Sequence, residues 1–185
     1  MQKLFDFDLI KTLFKRDDFN FIFDGLNGIS GPYGLAIFHD IFGVPLENLD
    51  KCKPLPDFGG LHPDPNLVHA KDLDEKMDVF KKDLSKKVPD FGAACDGDAD
   101  RNIIFGPRML VSPSDSLAAI TNNAELIKSL MRNGPLKGVA RSMPTSGAVD
   151  RVAKKKGLQC YEDKFVKNLN IFDLQWDLII SSGKR

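Results

Sequence analysis

The sequence predicts an α/β protein built as two consecutive units. Two observations carry that expectation. Short aromatic or β-branched runs alternate along the chain with segments whose apolar residues recur at helical spacing, and the order strand, helix, strand predicts parallel pairing. The second observation is a break near residues 110–114, where a proline and two polar residues separate one such series from the next.

Taken in order, residues 5–14 are apolar at helical spacing, with Asp6 and Asp8 early and Lys15 and Arg16 late, as a helix dipole favours. Residues 19–23 read as a short buried strand. The stretch DGLNGISGPYG follows, with Gly25, Gly28, Gly31 and Gly34 at every third position, ahead of a helix expected from Leu35 to Phe42. This succession resembles a nucleotide-binding turn only loosely, because neither G-x-G-x-x-G nor G-K-[ST] occurs; the glycines are read as permitting tight turns and close packing. Three prolines and two glycines make residues 55–66 a loop. A helix is expected over 67–80, a strand over 88–95 and another over 102–105. In the second unit Ser114 or Asp115 is the expected N-cap of a helix over 117–131. A strand over 138–143, a turn at 144–147, a helix over 148–156 capped by Gly157 and a strand over 158–161 complete the series.

The 26 basic and 26 acidic residues cancel, which removes the long-range field that would gather nucleic acid or an anionic membrane. The lysine runs at 81–82, 86–87 and 154–156 are read as solvated faces. No apolar stretch approaches the ~18 residues that a membrane span requires, and acids interrupt the N-terminal apolar segment too early for a signal peptide. Cys52, Cys95 and Cys160 are widely spaced, with no C-x-x-C pair; they fit a reducing compartment, and a cytoplasmic location is expected. His39, His62 and His69 are too scattered in sequence to define a metal or triad site by spacing.

The segment FGAACDGDADRNIIF is the chemically informative one, because it places Asp96, Asp98 and Asp100 at alternate positions beside Arg101. Crowded carboxylates repel unless a positive charge lies among them or water screens each one. An extended backbone turns residues i, i+2 and i+4 to one side, and hard oxygen ligands suit Mg²⁺, Ca²⁺ or Mn²⁺. A solvated acidic turn is the alternative. A calcium EF-hand fails, since Arg101 and Pro107 stand where that loop requires Gly and Glu. A phosphatase of the haloacid dehalogenase type, with Asp96 as nucleophile and Asp98 as general acid, fits less well, because Asp100 departs from the Thr or Val usual there.

Five segments in matching order, FDGLNGISGPYG, DFGGLHPDPNLVHAKDL, FGAACDGDADRNII, VSPSDSLAAI and ARSMPTSGAVDRV, closely resemble the phosphoglucomutases of the phosphohexomutase superfamily. The resemblance covers residues 4–161. It implies mixed sheets flanked by helices: domain II with its metal loop over 1–111, and an incomplete domain III over 112–185 with a divergent tail from about 162. It implies an isomerase of carbohydrate metabolism that interconverts glucose 1-phosphate and glucose 6-phosphate through glucose 1,6-bisphosphate. Asp96, Asp98 and Asp100 then correspond to the Mg²⁺ ligands, and Arg101 to the arginine that reaches into the active site. A hexose phosphate is the implied partner, together with the other domains of the same protein; neither nucleic acid nor membrane is expected.

The family's phosphoserine loop, of T-A-S-H-N-P type, does not occur in these 185 residues, nor do its sugar loop P-T-G-W-K-F and its G-E-E-S block. Ser142, Thr145 and Ser146 are read as turn or cap residues. Met1 is therefore expected to be internal to a longer protein, and the chain by itself to be inactive as a mutase, with a strand edge and apolar surface left uncovered. A non-catalytic phosphoglucomutase-like binding protein, related to secretion or adhesion, is the alternative.

Overall fold

A computed structural model describes residues 1–132, 134–163 and 179–181. The chain divides into two units, one formed by Asp8–Ser112 and the other by Met1–Phe7 with Pro113–Arg185.

In the first unit a five-stranded sheet has the order β2-β1-β3-β4-β5, formed by Leu49–Asp50 (β2), Phe21–Asp24 (β1), Phe91–Cys95 (β3), Asn102–Gly106 (β4) and Met109–Val111 (β5). β1 pairs in parallel with β2 and β3, whereas β3-β4 and β4-β5 are antiparallel, so the sheet is mixed. All four residues of β1 are buried, as a central strand covered on both faces requires. Side chains alternate across the strand. Ile22 points with Ala94, Ile103 and Phe105 into a core that includes Leu73 and Met77 of helix α3, Lys71–Met77. Phe21 and Phe23 point the other way, into a core with Val44, Leu49 and Cys52, where Phe14 of helix α1 (Phe7–Phe14) meets Phe21 edge-on at 5.3 Å.

Several expected boundaries move. The helix expected from Leu35 begins earlier, with α2 at Ser30–Gly34, and continues as a π-helix over Leu35–Ile41. The glycine stretch is thus helical in its second half rather than a loop. α3 is shorter than expected, because the Asn66 side chain accepts the Val68 and His69 amides before it and Asp78 adopts left-handed φ of 55° after it. The two-residue β2 is too short to show a period in the sequence, and β5 follows β4 after a turn at Pro107-Arg108.

The second unit pairs Leu136–Ser142 (β6) in parallel with Gln159–Asp163 (β7) and antiparallel with Ile179–Ser181 (β8). Helices Ser116–Asn122 (α4) and Ala148–Lys156 (α5) cover β6, burying Leu117, Ala118, Val149 and Ala153 against Val139. The helix expected over 117–131 ends at Asn122, since Asn123 leaves helical geometry and its side-chain amide donates to the Ala119 carbonyl. Asp115 occupies the N-cap position without a side-chain bond to the helix, while Gly157 closes α5 in the left-handed region at φ 68°. Most of the tail expected to diverge from about residue 162 lies outside the described residues.

Candidate functional site

β1 is flanked by β2 on one side and β3 on the other, with Asp24 opposite Ala94 in the parallel register. Chains leaving the carboxyl ends of β1 and β3 therefore emerge together at the point where the strand order reverses, the usual place for a ligand in an open α/β sheet. The glycine turn leaves one strand and the aspartate loop leaves the other.

Asp96 is the first residue beyond β3 and is only 1% exposed. Its Oδ1 accepts the Arg101 backbone N–H at 3.0 Å, and its Oδ2 accepts Arg101 Nε at 3.0 Å. The Asp96 N–H donates to the Arg101 carbonyl at 3.2 Å, so the two residues close the hairpin that joins β3 to β4. Ala99 takes φ of 65° at the tip. Asp98 and Asp100 are exposed, and ligand oxygens of all three aspartates lie within 4.8 Å of one another. Hydrogen bonding to Asp96 is the largest cause that raises the Asp100 pKa, followed by partial burial and the Asp96 and Asp98 charges; Arg101 opposes them. Carboxylate charge at the loop thus exceeds what Arg101 neutralises.

Arg101 also donates from Nη1 to Asp64 Oδ1 at 2.9 Å and lies 3.8 Å from Asp100. Burial works against its charge, but Asp96, Asp64 and Asp100 outweigh that cost and raise its pKa. Arg101 is therefore the counter-ion of this loop, with a third of its side chain exposed. It also lines a cavity of about 570 Å³ bounded by Asp96, Asp98, Asp64, His62, Phe58 and Gly28.

The glycine turn is built to meet this loop. Ile29 N–H donates to the Gly97 carbonyl at 3.0 Å, and a Cβ on Gly28 would come within 2.7 Å of that same oxygen. Only glycine permits so close an approach. The turn is held from behind by Asp24, fully buried, whose Oδ1 accepts the Leu26 N–H at 2.9 Å and whose Oδ2 accepts Lys51 Nζ at 2.8 Å. Burial raises the Asp24 pKa despite Lys51. Leu26 and Asn27 hold φ of 46° and 54°, a strained pair fixed by bonds from the Asn27 N–H to the Lys51 carbonyl and from its side-chain amide to Lys53.

Asp96, Asp98, Asp100 and Arg101 thus lie together. Asp64 and Gly28 join them, although sequence reasoning treated one as loop and the other as turn. Asp64 had a signal, as an acid between two prolines in the segment GGLHPDPN, but its pairing with Arg101 spans 37 positions. His62 and His69, scattered in sequence, are brought together with ring centroids 4.6 Å apart.

Residues 2–108 match the phosphoglucomutase/phosphomannomutase family over its alpha/beta/alpha domain II, and the chain belongs to that family. It is 56% identical over 173 residues to phosphoglucomutase-2 of Paramecium tetraurelia, covering 91% of this chain and 30% of that protein. It is 54% identical over 163 residues to the phosphoglucomutase of Schizosaccharomyces pombe, covering 88% of this chain and 28% of that one. Among solved structures, the open form of the exocytosis-sensitive phosphoprotein pp63/parafusin, a phosphoglucomutase from Paramecium, matches with a TM-score of 0.81 at 57% identity, over 87% of this chain and 28% of that one. The chain therefore spans about 30% of the length of the relatives it matches. Family membership removes the support for a dehalogenase-type phosphatase. Among the described residues no helix is long and apolar enough to cross a membrane.

Proposed function

We propose that this chain carries the metal-holding and phosphate-orienting part of a phosphoglucomutase, which interconverts glucose 1-phosphate and glucose 6-phosphate through glucose 1,6-bisphosphate. The observation that carries this reading is the aspartate loop itself, with three carboxylates within 4.8 Å at the carboxyl end of β3 and net negative charge beyond what Arg101 offsets. Its all-oxygen donor set suits a hard cation, so the residues fit Mg²⁺. Asp96, Asp98 and Asp100 would hold it, and the ion would supply charge neutralisation to a phosphoryl group. Asp96 contributes position as well as charge, since both of its oxygens are braced by Arg101. Arg101 offers a planar, permanently charged donor to a phosphate entering the cavity. Residues 1–111 act in this reading as domain II and 112–185 as part of domain III.

Titration calorimetry with Mg²⁺ tests the site. Asp98→Asn or Asp100→Asn is expected to weaken binding about tenfold or more, since each removes one anionic ligand. Unchanged affinity in both variants would overturn the assignment. An antibody against residues 61–70 tests the setting: a single cellular band several times larger than 20.6 kDa places the mutase chemistry in a longer protein. A dominant band at 20.6 kDa favours the second reading, a non-catalytic binding protein, which the description of the Paramecium relative as exocytosis-sensitive makes worth testing.

A further inference from the structure

A second constellation stands beside the aspartate loop and differs from it in chemistry. His62, Asp64 and His69 each offer a ligand atom, and the three atoms lie within 4.8 Å of one another. Both histidines are exposed and Asp64 is half-buried. The two rings lie 4.6 Å apart at 60°, and neither takes part in a hydrogen bond among the described residues. The backbone that presents them is fixed rather than loose. Asp64 N–H donates to the His62 carbonyl at 2.9 Å, and Asn66 Oδ1 accepts the Val68 and His69 amides at 2.8 and 3.0 Å. His-x-Asp-x₄-His is thus folded into one cluster by an Asx-type turn ahead of α3.

Two imidazoles and one carboxylate make a nitrogen-rich donor set, which suits Zn²⁺ and its transition-metal neighbours and is poorly matched to Mg²⁺. Zn²⁺ bonds of about 2.0–2.1 Å require ligand atoms somewhat closer than the observed limit. Exposed histidine rings can close that gap by rotation about χ1 and χ2, with no backbone movement. Three protein ligands leave the fourth tetrahedral position to water.

We propose that His62, Asp64 and His69 form a transition-metal site of Zn²⁺ type, separate from the three aspartates and coupled to them through Asp64. The coupling follows from shared atoms. Asp64 Oδ1 accepts Arg101 Nη1 at 2.9 Å, its Oδ2 accepts the Asn66 amide, and Arg101 braces Asp96. A metal on Asp64 withdraws charge from the carboxylate that helps hold Arg101, so occupancy at the histidines loosens the Arg101 anchor. The site itself does not depend on the mutase reading; only the consequence for catalysis does.

The test is calorimetric titration of the full 185-residue chain with Zn²⁺ alone, in the unsubstituted protein and in two sets of variants. In an Asp98→Asn/Asp100→Asn background, Zn²⁺ binding is expected to persist. His62→Gln or His69→Gln is expected to weaken it about tenfold or more, because each removes one of three ligands. Both histidines are exposed, so these variants should fold, and far-ultraviolet circular dichroism checks that they do. Binding that survives the double His62→Gln/His69→Gln change made in that same Asp98→Asn/Asp100→Asn background, or that vanishes in the aspartate variant alone, would overturn the site. For the coupling, the NMR resonance of Arg101 Nε–H is expected to shift on Zn²⁺ addition in the unsubstituted chain and not in His62→Gln. A resonance unmoved by saturating Zn²⁺ would refute the link through Asp64.

Discussion

Arg101 braces Asp96 through both its backbone amide and its guanidinium, and truncating the side chain leaves a nearly fully buried carboxylate without its main partner. A fully buried pair broken in this way loses about 3–5 kcal/mol, and the one-third exposure of Arg101 lets water recover part of it. Arg101→Ala is therefore expected to cost about 1–3 kcal/mol in urea denaturation. The double variant Asp96→Asn/Arg101→Ala should cost clearly less than the sum of the two single changes; strict additivity would mean that the pair is not coupled. Cys52 gives a second expectation at this scale. Burial, helped by Asp24, pushes its thiol up to about 11, so iodoacetamide should modify it far more slowly in the native chain than in urea at the same pH. Equal rates would show that the thiol is not shielded. The crowding of the three aspartates beside Arg101 was legible from spacing, because they fall within six consecutive positions, but spacing left a solvated acidic turn open and the expected roles came from the family resemblance. Asp64 was not, because its partner lies on the far side of a helix and a strand in sequence.

The glycine turn and the aspartate loop leave adjacent parallel strands, and their contact depends on the missing side chain of Gly28. A Cβ there would press on the Gly97 carbonyl and the Asp96 backbone, which are backbone atoms and cannot rotate away. Gly28→Ala is expected to destabilise the chain by about 1–3 kcal/mol and to weaken Mg²⁺ binding, read by denaturation and calorimetry. Gly60→Ala is the control: it meets no neighbour within 4 Å, so only its left-handed φ of 73° is strained, and Mg²⁺ affinity should hold. In the second unit Arg141 of β6 donates to Asp150 of α5 at 2.6 and 2.7 Å and to Glu162 of β7 at 2.9 Å. The hydrogen bond from Arg141 is the main cause that lowers the Asp150 pKa, with burial opposing it. A lowered folded pKa means stability that is present above the unfolded value, near 3.9, and is lost as pH falls through the folded one. The denaturation midpoint of the unsubstituted chain should therefore fall more steeply below about pH 4 than that of Asp150→Asn. Parallel curves would show that the triad adds no pH dependence.

For the whole molecule, the proposed reading gives this chain a metal loop and part of domain III, and its 185 residues do not include the family's serine loop. Positioning is most of what phosphoryl transfer asks of a protein, and it needs all reacting groups in one cleft. The 185-residue chain should thus show no conversion of glucose 1-phosphate in a coupled assay with glucose 1,6-bisphosphate and Mg²⁺ present. Measurable turnover would mean that one of its own side chains replaces the phosphoserine.

Some of this was decided by the sequence by itself. Short apolar runs placed β1, β3, β4 and β6, helical character placed α5 and a glycine placed its cap at Gly157, because those signals are local: side-chain period, cap chemistry and turn residues act within a few positions. The aspartate spacing was equally local, whereas the family resemblance rested on five segments in matching order over residues 4–161. Tertiary structure alone decided which elements became neighbours. It placed β1 between β2 and β3, so that Asp24, Gly28 and Asp96 converge at the carboxyl ends of the adjacent parallel strands β1 and β3. It ended α4 at Asn122 and started α2 among glycines, where packing and side-chain bonds to the backbone outweighed periodicity. It also gathered His62, Asp64 and His69 around a turn whose bonds come from Asn66. Those outcomes depend on contacts between residues far apart in sequence, and on backbone approaches that only the folded sheet imposes.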